Sequence, residues 1–146
     1  MSNLITEKIA VLGAIDPDAY GTGTQGTGWV DMSKFDQVGF VVMAGTLGGS
    51  GTIDFKLEQA KDGSGTGAKD ITDKAITQLT QAGTDSDKQS IVVLKAAELD
   101  EGYHFVRGVM TVGVAGSDAG ALVLGADPRY MPASNFDAAS VDEIVF

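Results

Sequence analysis

The chain has 146 residues, enough for one domain with a real core, and 43% of them are hydrophobic against 21% charged, as in an ordinary globular protein. Its formal net charge is −10, with arginine only at Arg107 and Arg129, so the sequence disfavours phosphate backbones and anionic bilayers as partners: neither nucleic acid nor a membrane is expected. It has no cysteine, which removes disulfides, thiolate metal sites and thiol nucleophiles.

The 20 glycines follow no period of three and cluster between apolar runs, where turns would fall. Residues 1–12 contain Glu7 and no long apolar stretch, so they do not read as a signal peptide; the chain reads as made and kept in the cytosol. A weak strand is expected over 8–13, then a flexible Gly/Thr loop over 16–28 (DPDAYGTGTQGTG) and another weak strand over 28–32. Residues 38–44 (VGFVVMA) form a continuous β-branched apolar run, far too short to span a bilayer but suited to a strand covered on both faces. After a turn at 45–51, residues 52–58 alternate cleanly, with Ile53, Phe55 and Leu57 on one face and Thr52, Asp54, Lys56 and Glu58 on the other.

Turns rich in Gly, Ser and Asp follow at 62–67 and 83–87, on either side of a weak strand within 71–80. Residues 91–94 (IVVL) again suit a strand covered on both faces, and a turn of helix fits 96–99 or 138–144. A long strand over 103–114 is expected to bend or bulge at Gly108 or Gly113, and a last one runs over 119–125 (AGALVLG). This spacing predicts an all-β fold, an antiparallel β-sandwich or jelly-roll-like barrel of about eight strands. Its domain would span residues 10–129, between an N-terminal arm at 1–9 and a C-terminal arm at 130–146. The predicted core includes Phe40, Val42, Phe55, Leu57, Val93, Phe105, Val109 and Leu122.

Candidate chemistry is sparse. His104, the single histidine, alternates with Val106, Met110 and Val112, and no serine or cysteine is spaced to make it a base for a nucleophile; a structural role is expected. The turn KDGSGTGAKD offers oxygens at alternate positions from Asp62, but the twelfth position, where a calcium loop needs a bidentate glutamate, is Asp73. Gly21, Gly23 and Gly26 match a dinucleotide-binding glycine pattern, yet no convincing strand leads in and no helix follows. Trp29, Tyr20, Tyr103 and Tyr130 could form a sugar-stacking platform, although core packing suits Trp29 better and Tyr103 fits a corner where its hydroxyl returns to backbone. No catalytic residue, cofactor or metal is therefore expected, and an enzyme is the least fitting class. The ends differ: Leu4, Ile5, Tyr130, Met131, Phe136, Ile144, Val145 and Phe146 are apolar side chains with no strand pattern to bury them, and they are the candidate protein-interaction residues.

The stretch VDMSKFDQVGFVVMAGTLGGSGTIDFKLEQAKDGSGTGAKDI, continued by KAAELDEGYHFVRGVMTVGVAGSDAGALVLGADPRYMPAS, resembles small proteins of tailed bacteriophages, similar to head decoration or cement proteins. The resemblance covers most of residues 28–134 in overall texture and carries no ligand or catalytic motif. It implies a non-enzymatic structural protein on the capsid surface of the virion, assembled in the bacterial cytoplasm, with the major capsid protein and its own copies (a trimer above all) as partners. A tail tube, tail terminator or head fibre protein is the neighbouring expectation, and a carbohydrate-binding β-sandwich module the other.

Overall fold

The alternation at 52–58 is realised without a break. In the computed structural model, which describes residues 4–133, 136–137 and 139–145, strand β5 (Thr52–Ala60) buries Ile53, Phe55 and Leu57 and turns Asp54, Lys56 and Glu58 outward. Around it lie β1 (Ile9–Tyr20), β2 (Gly23–Gly26), β3 (Val30–Asp31), β4 (Phe35–Leu47), β6 (Lys69–Ala75), β7 (Leu79–Thr80), β8 (Gln89–Lys95), β9 (Phe105–Gly113) and β10 (Ser117–Pro128). Among the described residues the helical structure is two 3-10 turns, Ile5–Glu7 and Ala96–Glu98.

The strands form two antiparallel sheets. The first runs β1-β10-β4-β8 and the second β2-β9-β5-β6, with β3 also pairing β9 and β7 also pairing β5. Taking β2 with β3, and β6 with β7, as single broken strands leaves eight positions in sequence. The first then pairs with the eighth, the eighth with the third and the third with the sixth; in the other sheet the second pairs with the seventh, the seventh with the fourth and the fourth with the fifth. That interleaving is a jelly roll, in agreement with the all-β sandwich expected.

The core lies between the sheets. Val38, Phe40, Val42, Leu94 and Val123 from the first sheet face Ile53, Phe55, Leu57, Val106, Met110 and Val112 from the second, with the Phe40 and Phe55 rings 6.2 Å apart and tilted by 49°. Gly108 is part of this packing. β9 pairs with β5 in unbroken register through it, and a Cβ there would lie 2.2 Å from the Phe55 ring. The glycine therefore makes room for a ring and does not bend the strand.

Several other expectations are corrected. The runs at 38–44 and 91–94 are covered on one face only, because among the described residues no layer of this chain lies over the outer side of the first sheet: Met43, Ile91 and Val93 are exposed. Val93, Phe105, Val109 and Leu122 are outside the core; the buried residues of those strands include Val92, Leu94, Val106, Met110, Val112, Ala119, Ala121 and Val123. The segment at 16–28 is mostly strand, since β10 and β9 supply its backbone partners from far along the chain. A strand thus does lead into the glycine pattern at Gly21, although a second strand, β2, and not a helix, takes up Gly23–Gly26.

Open sheet edges invite pairing with other chains, and here a lysine covers one. β8 ends the first sheet and β6 ends the second. Lys74 of β6 donates to the Val93 carbonyl of β8 at 2.9 Å and pairs with Glu98 at 3.1 Å, tying the two edges together.

Candidate interaction surfaces

The outer faces of the two sheets are built differently. On the second sheet, Arg107 of β9 sits opposite Glu58 of β5, and Nε and Nη2 each lie 2.8 Å from Glu58 Oε1. The same guanidinium stacks on Trp29 with its centre 4.6 Å from the ring centroid. Lys56, next along that face of β5, pairs with Asp70 at 2.8 Å. Trp29 is accordingly half-buried on this outer face and not in the core; its indole packs against Gly65, where φ is +85° and a Cβ would fall 2.9 Å from the ring nitrogen.

On the first sheet, pairing places whole rows of apolar residues outward. Val11, Leu124, Gly39 and Val93 line up across the four strands, and Ala14, Leu122, Val41 and Ile91 form the next row. No charge interrupts these two rows. Ile91 is 63% exposed, Val93 50% and Met43, one row further, 45%. Polar side chains return at the margins: Gln37 and Lys95 at one end, Gln89 and the exposed Asp118 at the other. The signal for this face was in the runs VGFVVMA and IVVL. Their missing alternation does mark strands with two apolar faces, but only one of those faces is covered by the chain itself.

The expected interaction residues are divided. Leu4 and Ile5 are exposed on and beside the Ile5–Glu7 turn, and the Ala133 N–H donates to the Glu7 carbonyl at 2.7 Å. That bond joins the backbones of the two end segments; Tyr130 and Met131, just before Ala133, are exposed as well. Phe136 is half-buried on its own domain, in a small cluster with Ala10, Phe35 and Ala133, and the Asp137 N–H donates to the Val11 carbonyl at 2.8 Å on the β1 edge. Ile144 and Val145 are exposed, and Phe146 lies outside the described residues.

The remaining candidates have local structural roles. His104 has an exposed side chain; its N–H donates to Ala60 and its carbonyl accepts from Met32, so it joins strands through backbone at the start of β9. Asp62 accepts the N–H groups of Ser64 and Thr66 at 2.9 and 3.1 Å, and these bonds, led by that to the Thr66 side chain, hold its carboxyl below the ordinary range. Its oxygens thus shape a hairpin loop. Tyr103 lies between Lys69 and Lys61, whose ammonium groups are 4.5 and 5.7 Å from its ring centroid, and the hydroxyl-to-backbone bond foreseen for it is made by Tyr20 to the Asp16 carbonyl. Burial, and then the charges of Asp16 and Asp18, raise the Tyr20 pKa. Among the described residues, no three His, Asp or Glu side chains are grouped to hold a metal, and no helix is long and apolar enough to cross a membrane.

No protein-family profile matches the chain, and no curated protein sequence matches it. Among solved structures, the chain is similar to one from infectious bursal disease virus, Gx strain, at 11% identity and a TM-score of 0.47, over 88% of this chain and 35% of that one. It is also similar to a chain of the empty virus-like particle of cowpea mosaic virus, at 10% identity and a TM-score of 0.41, over 93% and 90%. The chain thus spans about a third of the length of the first of these. At such low similarity the jelly-roll assignment stands on the strand order alone.

Proposed function

We propose that this chain is a non-enzymatic structural subunit of a virus particle, and specifically a decoration or cement protein that binds the outside of a bacteriophage head through its apolar ends. The observation that carries the reading is the exposure of Leu4, Ile5, Tyr130 and Met131, in two end segments whose backbones are joined by the Glu7–Ala133 bond. Large exposed apolar side chains on an otherwise acidic body mark a place for a protein partner. The resemblance of residues 28–134 to head decoration proteins supports the same reading, and a jelly roll is compatible with it by analogy of fold. In this reading the partners are the major capsid protein and further copies of the chain, the location is the capsid surface, and assembly takes place in the bacterial cytoplasm. The domain proper is residues 10–129, and 1–9 and 130–146 act as arms.

The carbohydrate-binding alternative has less support. Trp29 is covered by Arg107 and the Gly65 loop, which leaves no open aromatic plane there. The test is to mix the purified chain with heads of the virus that encodes it and separate them on a density gradient. The chain is expected to travel with the heads, and a variant carrying Ile5→Glu and Met131→Glu, both at exposed positions, to stay folded but to remain at the top. A second variant lacking residues 134–146 is expected to stay folded, with a melting temperature lowered by a few degrees. A full-length chain that stays free of heads or travels with tails would overturn the decoration reading. A deletion that unfolds the isolated domain would overturn the arm.

A further inference from the structure

We infer that the outer face of the β1-β10-β4-β8 sheet is the contact between two copies of this chain, packed face to face about a two-fold axis. This inference is independent of the particle reading, which rests on the chain ends.

The chemistry of the face limits what can cover it. Val11, Leu124, Val93, Leu122, Val41 and Ile91 occupy two adjacent rows with no charged or hydrogen-bonding side chain among them. In a sandwich with a solvated outer face the outer positions of such strands are ordinarily polar, as they are along β5 of the second sheet, at Thr52, Asp54, Lys56 and Glu58. With strands about 4.8 Å apart and outward residues about 6.8 Å apart along each strand, the two apolar rows cover about 260 Å2, and the whole face with the two margin rows about 500 Å2. Two whole faces would remove about 1,000 Å2 from water, the lower bound for a biological contact and the size of a weak, reversible one. Two sheets stacked at about 10 Å are also the ordinary way for such a surface to be buried.

Charge selects a second copy as the occupant. The chain carries a net charge of −10, so two copies repel over most orientations. The two apolar rows are where they can meet without opposing carboxylates. At the margins Lys95 stands at one end, where Asp127 accepts from Gln37, and Asp118 at the other, so Lys95 is the group that can meet Asp118 across the contact. A two-fold, antiparallel stacking sets the Lys95 end of one copy against the Asp118 end of the next, twice, as an isologous contact requires. Such a face is used up when two copies have met. It therefore produces a dimer, in contrast to the trimer that the bacteriophage resemblance implies.

The experiment is sedimentation velocity on the full chain over a concentration series, with Ile91→Glu and Val93→Lys beside it. Both positions are well exposed, so both variants should keep the wild-type circular dichroism and melting temperature measured at a concentration where the wild type is monomeric. The wild type is expected to sediment at twice the monomer mass at tens of micromolar, and each variant to dissociate at least tenfold more readily. Thr24→Glu, exposed on the opposite sheet, should leave the dimer intact. A wild-type chain that stays monomeric at every concentration, or that forms trimers, overturns the inference. So does a dimer that Thr24→Glu breaks, or one that survives both face substitutions. Loss of head binding with the dimer intact would count only against the particle reading.

Discussion

The two sheets are alike inside and opposite outside. Both inner faces carry Val, Leu, Ile and Phe in strict alternation, and together they make one core. Outside, the second sheet is held by Glu58, Arg107, Lys56 and Asp70, whereas the first shows Val, Leu and Ile to the surroundings. Inner faces must match each other for the chain to fold at all. Outer faces are free to differ, so their difference reports on what the protein meets. A polar face finished by its own ion pairs and stacked on Trp29 is complete within one copy. A face of about 500 Å2 with an apolar centre is complete only when something else covers it.

The sharpest test of this contrast is to damage the shared core. Phe55→Ala should lower stability by about 3–5 kcal/mol in denaturant unfolding, because the ring fills the space that Gly108 leaves open. Damage to the core should weaken the contributions of both sheets at once, whichever strand is probed. Removing the Arg107 guanidinium by Arg107→Met should cost about 1 kcal/mol, the upper range for a partly exposed ion pair, since it breaks both the Glu58 pairing and the stack on Trp29. A thermal melt with no change would mean that the second sheet's outer network is not what finishes it.

The smallest expected effect is that of acid. Asp62, Asp85 and Glu98 all have carboxyls held below their ordinary range: Asp62 first by its bond to the Thr66 side chain, Asp85 first by the Thr80 N–H and Glu98 first by the Lys95 N–H. A carboxyl whose pKa is depressed by folding stabilises the folded state above its unfolded value of about 4, and that stabilisation is lost as pH falls through the lower folded value. The melting temperature should therefore decline slightly below about pH 4, and Asp85→Asn should reduce the decline. None of the three carboxyls belongs to the apolar rows, so dimer dissociation should not follow the same titration.

How much of this was legible depended on which signal each segment carried. Residues 52–58 showed alternation, and alternation names the buried face; Ile53, Phe55 and Leu57 are all inside. The runs at 38–44 and 91–94 marked strands correctly but not faces. In a strand that is apolar on both sides, shifting the register by one residue exchanges inside for outside with no change in composition. That is why the sequence points to Val93 and Leu122 as core residues while Val92 and Val123 occupy the core. The polar stretch at 16–28 hid strands whose partners lie about ninety residues away, as in the pairing of Thr24 with Thr111. Of the candidate interaction residues, the ends were visible as apolar side chains without a pattern. The sheet face was visible only as an absence of alternation, which one copy of the chain does not explain.

Lys74 gains importance from what lies beside it. A jelly roll with an apolar face can grow in two ways. Stacking face to face stops by itself after two copies. Joining strand to strand along a free edge does not stop, since every addition presents a fresh edge, and its end point is a fibre. Val93 stands at the meeting of these routes: its side chain belongs to the face, and its carbonyl belongs to the β8 edge. By occupying that carbonyl, Lys74 blocks the open-ended route at the strand where stickiness is greatest. One ammonium group thereby lets the chain keep an adhesive surface and still accumulate as a finite object.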